Sequence, residues 1–511
     1  MVPARPPATP DRYWLTRFVL LRWLGFVYLI AFYVAAKQLV PLVGHDGLTP
    51  VDIYFQQIRA HADLSAWPGY LQLPSLFWIN CSDTWLQAVP WLGVILSCIL
   101  LAGYANAPML AVMWALYLSI VSAGQDWYGY GWEIQMVETG FLAIFLCPLL
   151  DARPFPARAT PVPVIFLFRW LIVRIMLGSA LIKLRGDSCW TDLTALYYFF
   201  ETQPIPNPIS VWFHFLPHAL LQFGVIVTFA VELVAPWFVF WPRWGRYIAG
   251  AMIAGFQATL IVSGNLSFFN WLTILPALAC FDDRVWRWIL PLRFTSWAER
   301  AQLHARPSNS MAITAWVVAG LVAVLSIQPV LNLLSSDQAM NTSYDPLHLV
   351  NTYGAFGTVG RERPVIIFEG SESANPDTAT DWKEYPYVAS PWDPARPLSQ
   401  IAPYQPHLDW QLWFAAMATW RNYPWTLNFV WKLLHNDPQT LSLLAGNPFP
   451  DHPPKYIRAV LYNYHFAKPG NPEHVYWTRN KLGLWLPPIS LENRDVQQIL
   501  RAEQWIPENS P

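Results

Sequence analysis

Charged residues are scarce in this sequence. Asp, Glu, Lys and Arg make up 13% of the 511 residues, whereas an ordinary soluble domain carries about 25%. A chain with so little charge cannot cover a large surface with polar groups. The deficit excludes an ordinary soluble globular protein and predicts contact with lipid.

The chain also has almost no net charge and no basic patch. The formal net charge is -1, and no stripe of Lys and Arg with interleaved aromatic residues runs along the chain. Affinity for nucleic acid depends on neutralising phosphates with such residues. Nucleic acid is therefore excluded as a partner.

Familiar catalytic and metal-binding motifs are absent as well. There is no GxSxG elbow, no glycine-rich phosphate loop after a strand, and no metal-ligand spacing. His214 and His218 share a helical face without a surrounding HExxH motif, which favours two interfacial histidines over a zinc site. We predict no metal and no cofactor, and the balance is against an enzyme.

Apolar residues are abundant, at 54% of the chain, and tryptophan occurs 30 times. A membrane-spanning helix needs about 20 mostly apolar residues. Residues 1–335 are therefore predicted to form a polytopic α-helical membrane domain of about nine spans. The runs are 18–40, 88–105, 109–124, 133–150, 164–183, 212–241, 247–264, 267–282 and 312–334.

The orientation follows from the short loops, because Lys and Arg accumulate on the cytosolic side. With the N-terminus inside, nearly all loop arginines are cytosolic, and the opposite loops hold Arg59, with Lys183 and Arg185 at a helix end. Nine spans then place the chain after residue 335 outside the cytosol. The cytosolic set is Arg5, Arg12, Arg17, Arg153, Arg158, Arg243, Arg246, Arg284, Arg287, Arg293, Arg300 and Arg306.

Residues 336–511 have a different pattern, which predicts an extracytoplasmic α+β domain built on an antiparallel sheet. Alternating runs rich in β-branched and aromatic residues indicate strands. They are VIIFEG from Val365, EYPYVA from Glu384, YIRAVLYNYHF from Tyr456 and VYWTRNKLGLW from Val475. Between them, residues 407–446 have helical spacing with proline punctuation, so two or three short helices are expected on the sheet.

Two of the five cysteines share a compartment under this topology. Cys81 and Cys189 fall in external loops, where an oxidising environment would let them pair. The alternative is two unrelated thiols, because sequence does not supply the Cα separation that a disulfide requires.

Ionisable residues inside the predicted spans include Glu138, Arg169, Arg174 and Glu232. Unpaired charges are costly in a bilayer, so these groups should face one another or a wet cavity. By helical rise, Arg174 and Glu232 lie at similar depth and are the predicted pair. The interpretation is either a structural clamp between helices or a polar cavity for a substrate.

Several long strings resemble the lipase maturation factor family, in the same order along the chain. They include KLRGDSCWTDLTALYYFFETQPIPNP from Lys183, GNLSFFNWLTIL from Gly264, VNTYGAFGTVGRERPVIIFEGS from Val350, APYQPHLDWQLWFAAM from Ala402 and YWTRNKLGLWLPPISL from Tyr476. The family-motif residues are Asp187, Trp190, Glu201, Gln203 and Pro204. The family pattern has a histidine where this chain has Phe199.

This resemblance implies a membrane-embedded maturation factor, or chaperone, that assists secreted client proteins such as lipases to fold and assemble. It implies the endoplasmic reticulum membrane in a eukaryote, or the cytoplasmic membrane in a bacterium, with the C-terminus lumenal or periplasmic. The external domain and loops would face the client.

A weaker resemblance covers the stretch GSALIKLRGDSCW from Gly178, which is similar to the membrane domain of vitamin K-dependent gamma-carboxylases. It implies an alternative in which Lys183 is the base of an intramembrane enzyme, because burial near the membrane could lower the pKa of its amine. The simpler interpretation is a lysine that extends to the membrane interface. A transporter is a further alternative.

Overall fold

The structure is a computed structural model of the chain, and it describes residues 12–62, 68–374 and 382–507. Of the arginines used to predict orientation, Arg5 lies outside the described residues. We refer to residues 12–334 as the helical part and to residues 335–507 as the C-terminal part.

The helical part is built from helices, most of them apolar, and each helix satisfies most of its own backbone groups, as a bilayer requires. They are α1 (Trp14–Val43), α2 (Val51–Ala62), α3 (Gly69–Gln72), α4 (Asp83–Ala102), α5 (Ala107–Ala123), α6 (Gly131–Ile144), α7 (Val162–Gly186), α8 (Ser188–Thr191), α9 (Ala195–Thr202), α10 (Ser210–His214), α11 (His218–Phe229), α12 (Arg243–Ser263), α13 (Phe269–Leu278), α14 (Asp283–Ile289), α15 (Leu292–Leu303), α16 (Asn309–Leu325) and α17 (Ile327–Leu334).

Among the described residues, six helical segments of 20 to 30 residues are long and apolar enough to cross a membrane. They are α1, α4, α7, α12, the continuous helix His218–Phe238 and the joined α16 and α17. Helices α5 and α13 are apolar but shorter, and α6 has 14 residues. The chain is a membrane protein, and the predicted total of nine spans includes these three shorter helices.

The ends of the helices gather into two groups. At one end, the Asp283 carboxylate accepts bonds from the backbone N–H groups of Trp14 and Leu15 at 3.0 and 2.8 Å, and Thr160 donates to the carbonyl of Tyr13 at 2.9 Å. At the other end, the C-terminal part packs onto the helices. We call this second end the docking end.

The C-terminal part contains a four-stranded antiparallel sheet in the order β2-β1-β3-β4. The strands are β1 (Arg363–Ser371), β2 (Lys383–Glu384), β3 (Tyr456–Phe466) and β4 (Trp477–Ile489). In the central pair, Ile367 lies opposite Val460. Helices α18 (His407–Ala416), α19 (Trp425–Leu434), α20 (Pro438–Leu441) and α21 (Arg494–Ala502) accompany the sheet.

The predicted sheet with short helices is confirmed. β3 covers the predicted run, and the Phe368 ring of β1 packs against Phe429 of α19, with 5.1 Å between ring centroids. The run from Glu384 is mostly not a strand. Pro386 has no N–H to donate to a ladder, and pairing stops at Glu384.

Candidate functional site

A cleft of about 480 Å³ lies where the C-terminal part meets the docking end. We call it the interdomain cleft. Its helical wall comes from the start of α6 and from the segments around α9 and α13, and its other wall comes from α18 and residues 354–360. Eight aromatic side chains line it: Tyr130, Trp132, Phe199, Phe269, Phe356, Trp410, Trp413 and Phe414.

Two glycines of α7 let the wall segment approach closely. A Cβ atom on Gly178 would lie 2.1 Å from the carbonyl oxygen of Tyr353, and one on Gly186 would lie 2.5 Å from that of Gly357. Because both obstacles are backbone atoms, any side chain there would push residues 353–357 away from α7. The shape of the cleft therefore depends on these two positions.

The motif residues Asp187 and Trp190 hold the same segment from the docking end. Asp187 accepts bonds from Arg361 at 2.8 and 3.0 Å and from the backbone N–H of Val359 at 3.2 Å. The Arg361 guanidinium holds the pKa of this carboxyl well below its usual range. The Trp190 indole donates to the carbonyl of Phe356 at 2.9 Å.

Arg363, the first residue of β1, joins the sheet to the ETQP string. Its side chain is buried, with 2% exposed, and it donates to the backbone carbonyls of Glu201, Gln203 and Pro204. The guanidinium carbon also lies 5.2 Å from the centre of the Trp477 ring. One side chain thus satisfies three carbonyls that end α9.

The Glu201 carboxylate caps the far end of β3. It accepts bonds from the backbone N–H of Phe466 at 2.7 Å and from His465 at 3.1 Å, and the His214 imidazole lies 3.7 Å away. All five predicted motif residues therefore contact the C-terminal part, either directly by side chain or through a backbone carbonyl. Their arrangement fastens the two parts together around the interdomain cleft.

The predicted pair of Arg174 and Glu232 is wrong. Arg174 instead forms an ion pair with Glu138, and both side chains are almost completely buried. Glu138 also accepts bonds from the Tyr353 hydroxyl at 2.7 Å and the backbone N–H of Asn351 at 3.0 Å. The prediction placed Glu232 at the wrong depth, because Glu232 faces Lys183, nine residues after Arg174 on α7, which is a rise of about 13 Å.

Glu232 pairs with Lys183, whose amine lies 2.7 and 2.8 Å from the two carboxylate oxygens. Glu232 sits in a π-helical turn, Ala230–Val234, that follows α11. Lys183 is 3% exposed, so the prediction that it extends to the interface is also wrong. A base needs an available amine, and this one is held in an ion pair, which gives the enzyme alternative no support.

The Arg169 guanidinium finds its hydrogen-bond partners without a carboxylate. Its guanidinium donates to the carbonyl of Ala279 at 2.9 Å and to the Tyr13 hydroxyl at 3.0 Å. Glu138, Arg169, Arg174 and Glu232 therefore fit the interpretation of a structural clamp between helices. Their contacts join α7 to α6, to the π-helical turn and to the end of α13.

The predicted disulfide is not formed. Cys81 and Cys189 are both free thiols, and they pack into two different apolar clusters. A bridge requires Cα atoms within about 7 Å. Among the described residues there is also no group of three His, Cys, Asp or Glu side chains that could hold a metal ion.

A second fastening was missed by sequence reasoning and involves Gln38 of α1. Its amide donates to the carbonyl of Gln405 at 2.7 Å and accepts from the backbone N–H of His407 at 2.9 Å. The His407 ring is buried against Tyr128, with ring centroids 4.6 Å apart. Gln38 carries no local signature, since its partners lie far away in sequence. Asn351 and Arg363 lie inside the family string from Val350, which was the available signal, but their distant partners could not be read from it.

The buried imidazole of His407 should make the free energy of unfolding decrease in mild acid. Burial lowers the pKa of this imidazole to about 3, whereas in the unfolded chain it is about 6.5. The folded protein keeps the ring neutral, whereas the unfolded chain takes up a proton below about pH 6.5. The free energy of unfolding is therefore unaffected by this group above about pH 6.5 and falls as the pH drops towards 3. At pH 5 the loss is about 2 kcal/mol.

Thermal unfolding in detergent at pH 7 and pH 5 tests this expectation. His407→Gln removes the titrating group and should show a smaller drop in melting temperature between the two pH values than the unsubstituted protein. His452→Gln, at an exposed position, is the matched control and should keep the full drop. An unchanged drop in His407→Gln would contradict the prediction.

Comparison with known proteins agrees with both parts. The family model for the lipase maturation factor transmembrane domain matches residues 15–288, and that for the lipase maturation factor C-terminal domain matches residues 349–487. No solved structure matches the chain.

Curated relatives match across nearly the whole length. The chain is 44% identical to lipase maturation factor 1 of Bos taurus, covering 96% of this chain and 92% of the relative. It is 42% identical to lipase maturation factor 1 of Homo sapiens, covering 98% and 93%. Lipase maturation factor 2 of Xenopus laevis is 27% identical, covering 95% and 84%. The chain therefore belongs to the lipase maturation factor family.

Proposed function

We propose that this protein is a membrane-embedded chaperone for secreted lipases, and that it engages an apolar segment of the immature client in the interdomain cleft. The observation that carries the proposal is the eight-aromatic lining of a cleft whose two walls are fastened by the family-motif residues. Tyr130, Trp132, Phe199 and Trp410 are buried and form the walls. The partly exposed rings of Phe269, Phe356, Trp413 and Phe414 offer the contact area for an apolar client segment.

The rim of the cleft supports an adaptable binding surface. Met340 and Met417 line it and are 48% and 51% exposed. Methionine side chains are flexible and polarisable, and they recur at surfaces that accept varied partners. The cleft therefore suits a range of apolar sequences better than one fixed ligand.

The location of residues 336–511 also bears on this function. We infer that residues 336–511 form an extracytoplasmic domain, in the endoplasmic reticulum lumen of a eukaryote or the periplasm of a bacterium. Support comes from the arginines: Arg12, Arg17, Arg158 and Arg246 belong to the helix end opposite the docking end. Positive residues favour the cytosol, so the docking end and its cleft would face the secretory compartment.

Reporter fusions test the location. Fusions after residues 155 and 300 should be cytosolic, whereas a fusion after residue 511 should be external, because the arginine asymmetry sets the orientation. Activity of the reporters in each compartment is the measurement. A cytosolic C-terminus would remove both the proposed location and the access of the cleft to secreted clients.

A charge at the cleft rim tests the client-binding role. Met417→Asp should lower the yield of active, secreted lipase roughly fivefold to thirtyfold, because placing a carboxylate against an apolar client segment costs about 1 to 2 kcal/mol. Leu482→Asp is the matched control: Leu482 is 54% exposed on β4, and it does not line the cleft.

The measurement is lipase activity per secreted lipase molecule in cells lacking any endogenous maturation factor, with immature lipase co-purification as a second readout. Both variants should accumulate to the level of the unsubstituted protein, since both positions are exposed. Equal impairment by the two variants, or none by Met417→Asp, would rule out the cleft as the client site.

A further inference from the structure

A groove of about 1130 Å³ opens between α7 and the joined helices α16 and α17. It is separate from the interdomain cleft. Apolar side chains line most of its length, including Val162, Phe166 and Trp170 on α7 and Met311, Trp316 and Val330 on the other wall. We call it the α7–α16 groove.

One end of the groove is cationic. Arg158 and Arg306 line it there, beside the polar side chains of Thr160 and Ser308. Arg158 donates to the backbone carbonyls of Arg306 and Pro307 at 3.2 and 3.1 Å, which holds its guanidinium beside the start of α16. Neither arginine forms an ion pair with a carboxylate in the described parts of the chain.

The groove also marks a weak point in the packing. Helix α16 buries just three residues, Ala315, Val318 and Val322, although it leads through α17 to the C-terminal part. Trp316 is 69% exposed and Phe166 is 43% exposed on the two walls. An occupant that filled the space between α7 and α16 would bury both rings and brace α16.

We propose that the α7–α16 groove binds one phospholipid with an anionic headgroup. The apolar length accepts acyl chains, and the two guanidinium groups at its end face the headgroup phosphate, whose negative charge no cationic group of the lipid offsets. The cationic end belongs to the arginine-rich helix ends, which the charge asymmetry assigns to the cytosolic leaflet, and anionic lipids concentrate in that leaflet. Basic pockets between membrane helices on that side bind such headgroups.

Native mass spectrometry of the detergent-solubilised protein tests the proposal. Dioleoyl phosphatidylglycerol and dioleoyl phosphatidylcholine, which differ in headgroup charge, are added separately. We expect one retained molecule of the anionic lipid, and a preference for it that falls roughly tenfold to thirtyfold in Arg158→Gln with Arg306→Gln, since each arginine near a membrane surface contributes modestly.

Three further variants keep the test decisive. Arg306→Gln alone removes an exposed side chain and avoids the Arg158 hydrogen bonds, and it should lower the preference by a smaller factor. Ala323→Trp fills the groove without changing charge and should abolish retention of both lipids. Arg300→Gln, on exposed α15 and outside the groove, should retain the anionic lipid as the unsubstituted protein does.

Three results would overturn the proposal. Equal retention of the two lipids by the unsubstituted protein would mean annular lipid only. A preference that survives the double arginine variant, or retention that survives Ala323→Trp, would mean that the lipid binds elsewhere on the surface.

Discussion

Glu138→Gln should lower the free energy of unfolding by about 3–5 kcal/mol, because it leaves the Arg174 charge buried without a carboxylate to balance it. The pair is almost fully buried, and Glu138 also accepts bonds from Tyr353 and Asn351. The same change therefore weakens both the helix contact and the start of the C-terminal part. Thermal unfolding in detergent and the yield of monodisperse protein are the measurements.

A double-mutant cycle identifies the partner. Arg174→Met combined with Glu138→Gln should recover part of the loss, since no net buried charge remains, whereas Arg174→Met combined with Glu232→Gln should be additive. Replacing Arg153, whose bridge to Asp151 is largely exposed, is the control and should cost at most about 1 kcal/mol. Coupling of Arg174 to Glu232 instead would contradict the structure.

Arg363→Leu should detach the C-terminal part from the docking end. The change leaves three backbone carbonyls without their donor, and bonds from a charged donor contribute about 1.5–3 kcal/mol each. If docking loses only the equivalent of one such bond, about 3 kcal/mol, because water replaces the rest once the part opens, the open population rises roughly hundredfold. Limited proteolysis in residues 335–362 should accelerate by a similar factor while opening remains faster than cleavage.

Arg458→Leu provides the matched control for this experiment. Arg458 lies on β3 and pairs with Glu369 of β1 at 2.7 Å, so its contact lies within the sheet and away from the docking end. It should destabilise the sheet modestly and leave cleavage of residues 335–362 nearly unchanged. Equal acceleration by the two variants would show that sheet stability, and not the Arg363 contacts, controls docking.

These two experiments separate the elements of the interdomain cleft. The Glu138 cluster anchors residues 351–353 to α6 and α7, whereas Arg363 anchors the sheet to the segment after α9. If the cleft holds lipase clients, both variants should also lower lipase maturation, but through an altered cleft shape and not through lost client contacts. Comparing them with Met417→Asp distinguishes the two causes, since Met417 is exposed on the rim.

Local patterns in the sequence were sufficient for much of the architecture. Long apolar runs indicate membrane helices because each helix satisfies its own backbone groups, and six of the predicted runs correspond to helices long enough to span. Alternation predicted β3, and proline punctuation predicted the helices α18 to α20. The motif strings identified the family and named five motif residues, whose contacts with the C-terminal part are seen only in the structure.

The tertiary structure alone decided which charges pair. Helical rise counted from the predicted span ends put Arg174 and Glu232 at the same depth. In the structure Glu232, in the π-helical turn Ala230–Val234, pairs with Lys183, nine residues further along α7, and Arg174 pairs with Glu138. It also determined that the interdomain cleft exists and which residues line it. The walls come from segments more than 200 residues apart, such as those that hold Trp132 and Trp410. Sequence periodicity determines which face of an element is apolar, whereas contacts between distant elements depend on how whole helices and sheets pack against one another.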